Sequence, residues 1–129
     1  MAFGHGAGAP HLPRPALIDA YGDGGFRFAG MSHRGSLLCF PDGIWAWAVK
    51  DVSELTADAF SAAFARAQSL DFFLIGAGPE PWALPEHLRQ RFRELSLSVD
   101  AMATGAAVRT YNILLAENRR VGAGLIAVT

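Results

Sequence analysis

Cysteine is almost absent: Cys39 is the only one in 129 residues. That excludes an intrachain disulfide framework and fits a reducing compartment. Lysine is as scarce, with Lys50 standing alone, so no phosphate-loop lysine is on offer to a nucleotide. Charge is also thin. Charged residues make up 18% of the chain, and eleven basic against twelve acidic side chains leave a net charge of −1. Nucleic-acid binding needs a clear basic excess, so that partner class is not expected. No apolar run approaches the ~20 residues that cross a bilayer, so the chain is not expected to span a membrane. G-x-S-x-G, C-x-x-C and H-E-x-x-H are all missing. No nucleophile is set beside a base, and no enzyme, metal site or cofactor is expected.

What is present is a chain long enough to bury one core. Hydrophobic residues make up 51% and the mean hydropathy is +0.21. Alanine inflates that count, yet a sizeable apolar surface for a partner, or for a second copy, fits it as well. Residues 1–15, rich in Gly, Pro and Ala, read as a flexible tail ahead of an α/β domain over residues 16–129. Their two histidines, His5 and His11, have no third ligand nearby and make a poor metal site. The same segment lacks a charged n-region and an apolar h-region, so a cytoplasmic location is expected.

Two hairpins follow. Residues 17–21 and 26–28 flank Gly22-Asp23-Gly24-Gly25, whose glycines supply the positive φ a tight turn needs. Residues 36–40 and 44–49 flank Pro41-Asp42-Gly43. In the outgoing strand Trp45, Trp47 and Val49 share one face, either as core or as an exposed aromatic anchor. Core is preferred, since large aromatics are mostly buried. Cys39, with no flanking base, reads as a small buried hydrophobe.

The second half alternates helix and strand, which argues for a parallel or mixed sheet with helices on it. Thr56 is expected to cap a helix over residues 56–68, with Phe60, Ala63, Phe64 and Ala67 inward. Phe72 to Ile75 is continuously apolar, as in a strand covered on both faces. A helix over residues 85–95 buries Leu88, Phe92 and Leu95, and its Arg89, Arg91 and Arg93 read as a solvated face. His33 is placed in a loop and His87 on an outer helix face. A strand over residues 97–102 and a helix from Thr104 to about Glu117 follow, and the last strand covers residues 121–128.

The stretch Leu74-Ile75-Gly76-Ala77-Gly78-Pro79-Glu80-Pro81 resembles a dinucleotide loop only at first. The fingerprint G-x-G-x-x-G must run into a helix, and here Pro81 takes the third glycine's place. Pro79 and Pro81 also lack the N–H donors a pyrophosphate requires. A weaker reading survives if the strands ending at Ile75 and Met102 are neighbours. Gly76, Ala77, Gly78 and Pro79 would then face Thr104, Gly105 and Arg109 across a crevice. The helix start could hold a small anion or a partner's carboxylate, or Thr104 could be a plain N-cap and Arg109 a surface residue.

Several stretches together resemble a known family: Tyr21-Gly-Asp-Gly-Gly-Phe-Arg-Phe, Gly35-Ser-Leu-Leu, Gly43-Ile-Trp-Ala-Trp, Leu74-Ile-Gly-Ala-Gly, Thr104-Gly-Ala-Ala and Thr110-Tyr-Asn-Ile-Leu-Leu. The family is one of small bacterial and archaeal proteins of unassigned function, and its mitochondrial relative is the respiratory complex I assembly factor 3. The resemblance runs over residues 16–128. It implies a three-layer α/β fold: a central mixed sheet with helices on one side and extra strands plus a helix on the other. It also implies a non-enzymatic protein-binding role, as an assembly or chaperone-like factor for a membrane-associated respiratory complex, peripheral to the inner membrane through its partner. Relatives often carry Cys where this chain has Val108, so no thiol chemistry is expected there. The competing reading is a small-anion-binding enzyme or sensor using the same crevice.

Overall fold

The computed structural model describes residues 8–129. Among the described residues eight strands form two sheets, accompanied by three α-helices. The first sheet is a meander of β1 (Ile18–Gly22), β2 (Gly25–Phe28) and β3 (Met31–Arg34) in the order β1-β2-β3. Its first turn is the expected one. Asp23 and Gly24 both take positive φ (52° and 80°), the requirement of the two-residue turn that matches strand twist.

The second sheet is central and mixed. It contains β4 (Ser36–Phe40), β5 (Gly43–Trp47), β6 (Phe72–Gly76), β7 (Ser98–Met102) and β8 (Val121–Leu125), ordered β5-β4-β8-β6-β7. β6 lies parallel to both β7 and β8, while β4 lies antiparallel to β5 and β8. Helices α1 (Ser61–Ala65) and α2 (Glu86–Glu94) contribute to one face, and α3 (Thr104–Ala116) with the small sheet covers the other. This is the three-layer α/β arrangement expected.

Strand alternation sorts the core into two clusters. Leu38, Phe40, Phe73 and Ile75 point to the α1/α2 side, joined there by Trp45, Trp47, Phe60 and Phe92. Leu37, Cys39, Leu74, Val121, Ala123 and Leu125 point to the α3 side, with Phe26, Phe28 and Tyr111. Trp45 and Trp47 are therefore core, and the indole N–H of Trp47 donates to the Ala59 carbonyl at 3.1 Å. The middle strand β8 shows why the aromatic cluster fits. Its α1/α2 face carries Gly122 and Gly124, and a Cβ on Gly122 would stand 3.0 Å from Phe40 and 3.1 Å from Phe73. A Cβ on Gly124 would stand 2.8 Å from the Trp47 ring. Two missing side chains leave the floor on which the rings lie.

Four local expectations are corrected. The helix expected over residues 56–68 is broken into 3₁₀ turns at Ala57–Phe60 and Ala67–Ser69 around the short α1, and the Thr56 side chain makes no capping bond. Its inward residues Phe60, Ala63 and Ala67 are nonetheless buried. The break at Arg66 lets that guanidinium reach Asp42 at 3.0 Å and lie over the Phe40 and Trp45 rings. Tertiary packing outweighs helix propensity here. His33 is in β3 rather than a loop, paired across from Phe26. That strand, Met-Ser-His-Arg, has a single apolar residue and gives no hydropathy signal.

The segment expected as a flexible tail over residues 1–15 lies along β5 from Gly8 onward. The His11 N–H donates to the Ile44 carbonyl and the Ile44 N–H to the Leu12 carbonyl, both at 2.9 Å. The Trp45 indole N–H donates to the Gly8 carbonyl, and the His11 ring lies 4.9 Å from that of His33. Backbone pairing of this kind needs little apolar side-chain area. His5 falls outside the described residues.

Replacing Gly124 by Ala forces a methyl against the Trp47 ring, and overpacking of this sort costs about 1–3 kcal/mol. Urea unfolding followed by tryptophan fluorescence should show that loss; an unchanged midpoint would contradict the packing described.

Candidate functional site

The candidate site lies where β6 and β7 end side by side and α3 begins, as the sequence reading required. Gly76 sits opposite Met102 on one side and Leu125 on the other. Beyond it, Gly76, Ala77 and Gly78 are buried and Pro79 is exposed. Gly78 has φ +102°, a conformation L side chains rarely adopt. Gly76 is constrained differently: a Cβ there would meet the Thr104 Cα and Oγ1 at 3.1 Å.

The donors and acceptors of this loop are used internally. The Ala77 N–H donates to the Met102 carbonyl at 2.8 Å, and the Ile126 N–H to the Gly76 carbonyl at 2.9 Å. The Thr104 N–H donates to the Gly78 carbonyl at 2.8 Å. In return the Gly78 N–H donates to Thr104 Oγ1 at 2.9 Å, and that hydroxyl donates to the Ile126 carbonyl at 2.7 Å. Thr104 is fully buried.

Thr104 is thus a latch and not the plain N-cap that was one of its two readings. It is the first residue of α3, Ala103 precedes it in extended conformation, and no side chain caps the helix. Its hydroxyl is directed at the β6 and β8 ends because Ile126, 22 residues further on, lies within reach.

The start of α3 is covered from outside. Gly105 has no side chain, and the Tyr21 hydroxyl of β1 occupies the place where a Cβ would stand. Further along, the Asn112 side chain clasps Ile18 of β1: Oδ1 accepts from its N–H at 2.8 Å and Nδ2 donates to its carbonyl at 2.9 Å. Thus the structure brings Gly76, Ala77, Gly78, Thr104 and Gly105 together, with the strand β1 laid over the helix. Arg109 is exposed one turn further along α3, and Val108 is buried in the cluster beneath.

The exposed large hydrophobic residues of the described chain are Leu17, Tyr21 and Ile113. Tyr21 rests on Gly105 at the seam where β1 lies over α3, and Leu17 and Ile113 are the chain neighbours of the clasped Ile18 and Asn112. The sequence reading missed this seam. Nothing in the spacing of Leu17-Ile18 and Asn112-Ile113 links the two stretches.

Cys39 is buried in the α3-side cluster. Burial pushes the Cys39 thiol up to about 12, offset in part by its bond with the Tyr111 hydroxyl. A thiol held protonated is no nucleophile. Among the described residues no three His, Cys, Asp or Glu side chains gather to hold a metal ion.

Fold and site define a three-layer α/β protein whose Gly-rich loop is latched to its own helix. The chain belongs to the DUF498/DUF598 family, proteins of unknown function, whose family model matches residues 18–126. A solved structure described as an outer membrane protein from Bartonella henselae is 49% identical with a TM-score of 0.88, covering 92% of this chain and 100% of that one. An uncharacterised Rhodobacter capsulatus protein is 38% identical over 84% of this chain and 82% of its own length. The NADH dehydrogenase [ubiquinone] 1 alpha subcomplex assembly factor 3 of Drosophila melanogaster is 28% identical over 85% of this chain. The chain spans 58% of that factor's length. None of the described helices is long and apolar enough to cross a membrane.

Thr104→Val keeps the shape of the side chain and removes the hydroxyl. It leaves the Gly78 N–H and one Ile126 acceptor position unpaired in a buried place, at about 1–3 kcal/mol per group. Denaturant unfolding should register a loss of about 2–4 kcal/mol, with Thr104→Ser close to wild type. Wild-type stability in the valine variant would contradict the latch.

Proposed function

We propose that the protein binds other proteins and acts as an assembly or chaperone-like factor for a membrane-associated respiratory complex. The relation to the Drosophila NADH dehydrogenase assembly factor carries this reading, since the shared region spans most of this chain. The site supports it in a second way. The Ala77 and Gly78 N–H groups and the Thr104 N–H are already bonded, to the Met102 carbonyl, to Thr104 Oγ1 and to the Gly78 carbonyl, so none of the three is offered to a small anion. The exposed groups on and around α3 suit a protein surface better. Pro79, after the loop, and Arg109 on α3 are exposed, as are the large apolar side chains Tyr21, Leu17 and Ile113. Exposed aromatic and arginine groups are among those that protein interfaces favour. The protein would reach the inner membrane through such a partner from the cytoplasm.

Deleting the gene in the native host tests the reading. Native gels of solubilised membranes should show less intact NADH dehydrogenase and more of its subassemblies, restored by the wild-type gene. An unchanged complex in amount and activity would overturn the assembly role.

A further inference from the structure

The two edges of the central sheet are treated differently. The β5 edge is closed by the chain's own residues 8–12, through the His11 and Leu12 bonds to Ile44. The opposite edge, β7, pairs with β6 alone and has no neighbour on its outer side among the described residues. An open edge is a row of unpaired donors and acceptors, and proteins usually cover it or use it.

The surroundings of β7 select a chemistry. Its start and the end of α2 form an open cleft of about 380 Å³ lined by Arg89, Phe92, Arg93, Leu97, Ser98 and Val99 with Ser96. No carboxylate lines it. Arg93 lies 3.3 Å from Glu86 with both side chains largely exposed, a pairing that contributes below ~1 kcal/mol and yields readily. Arg89 makes no ion pair among the described residues, and Arg91 turns to Glu94 at 3.8 Å. On β7 itself, Val99 and Ala101 pack toward the α1/α2 cluster, so the intervening Asp100 belongs to the other face, where Met102 packs toward the α3 cluster. The cations and the one acid therefore stand on opposite faces of the strand.

We propose that β7 is a strand-addition site for an extended segment of a partner protein that carries acidic residues at every second position. This names the partner chemistry for the protein-binding reading above and rests on it. An added strand would continue the backbone ladder, and alternation would direct its acidic side chains toward Arg89 and Arg93. A second copy of this chain fits less well. Edge-to-edge pairing about a twofold axis normal to the sheet brings both copies' Arg89 and Arg93 together, and like charges converging at an interface are costly.

The test uses the full chain and a fluorescein-labelled eight-residue peptide of alternating Glu and Val. Comparators are alternating Lys and Val, and the Glu–Val peptide N-methylated on alternate amides so that it cannot form the ladder. Anisotropy should show saturable binding of the Glu–Val peptide, at least tenfold weaker for both comparators. Amide chemical shifts should move along residues 98–102. The R89E/R93E variant, checked for an unchanged melting temperature, should weaken the Glu–Val peptide at least tenfold and strengthen the Lys–Val one. Absence of saturable binding overturns the proposal, as does binding indifferent to N-methylation or to charge reversal. Concentration-dependent dimerisation with shifts confined to β7 would assign the edge to a second copy and also overturn it. Respiratory subunits recovered equally with wild type and R89E/R93E would sink the strand-addition site and leave the assembly role standing. Peptide binding as expected, with an intact respiratory complex in the deletion strain, would do the reverse.

Discussion

The Thr104 hydroxyl ties three chain ends that otherwise meet only in passing. It accepts from the loop after β6 and donates to the carbonyl just beyond β8, and it sits at the first residue of α3. Buried amides and carbonyls left without partners cost more than a hydrogen bond gains on average, so this group decides where the loop can lie. The glycines follow from it. Gly76 leaves room for the Thr104 backbone, and Gly78 takes the positive φ that turns its N–H toward Oγ1. A loop that looks like a ligand cradle in sequence is folded on itself.

The same economy of space runs through the sheet. β8 offers Val121, Ala123 and Leu125 to one core and only Gly122 and Gly124 to the other. The strand can then serve as a floor for Phe40, Phe73 and Trp47 on one side while α3 packs on the other. Phe73 and Phe92 stack at 5.9 Å, and Phe60 meets Phe92 edge-on at 5.5 Å. Aromatic pairs at these separations add to what area burial alone supplies.

Features written in local chemistry were legible in the sequence. The Asp23-Gly24 turn, the hairpin at Pro41-Asp42 and the doubly covered β6 came from composition and period, while the pairing of β6 with β7 was only a condition of the crevice reading. Features decided at a distance were not. β3 pairs through backbone with little apolar side chain, and residues 8–12 do the same on β5. The 56–68 segment breaks where Arg66 finds Asp42 and two rings. Thr104 reads as a cap from its neighbours alone, and becomes a latch only once Ile126 is beside it. Tyr21 and Gly105 lie 84 positions apart (105 − 21), and their contact leaves no mark on either stretch. For the candidate site, then, the meeting of the Gly76–Gly78 loop with Thr104 was foreseeable once β6 and β7 were taken as neighbours, and the Thr104 latch was not.

The Gly76–Gly78 loop is closed by its own residues. Amide hydrogen exchange at Gly78 and Thr104, with and without inorganic phosphate, measures this directly. A closed latch predicts both amides protected to near the global unfolding limit and unmoved by millimolar phosphate. Fast exchange at Gly78, or phosphate-dependent protection of the two amides, would show a loop open to a ligand and contradict it.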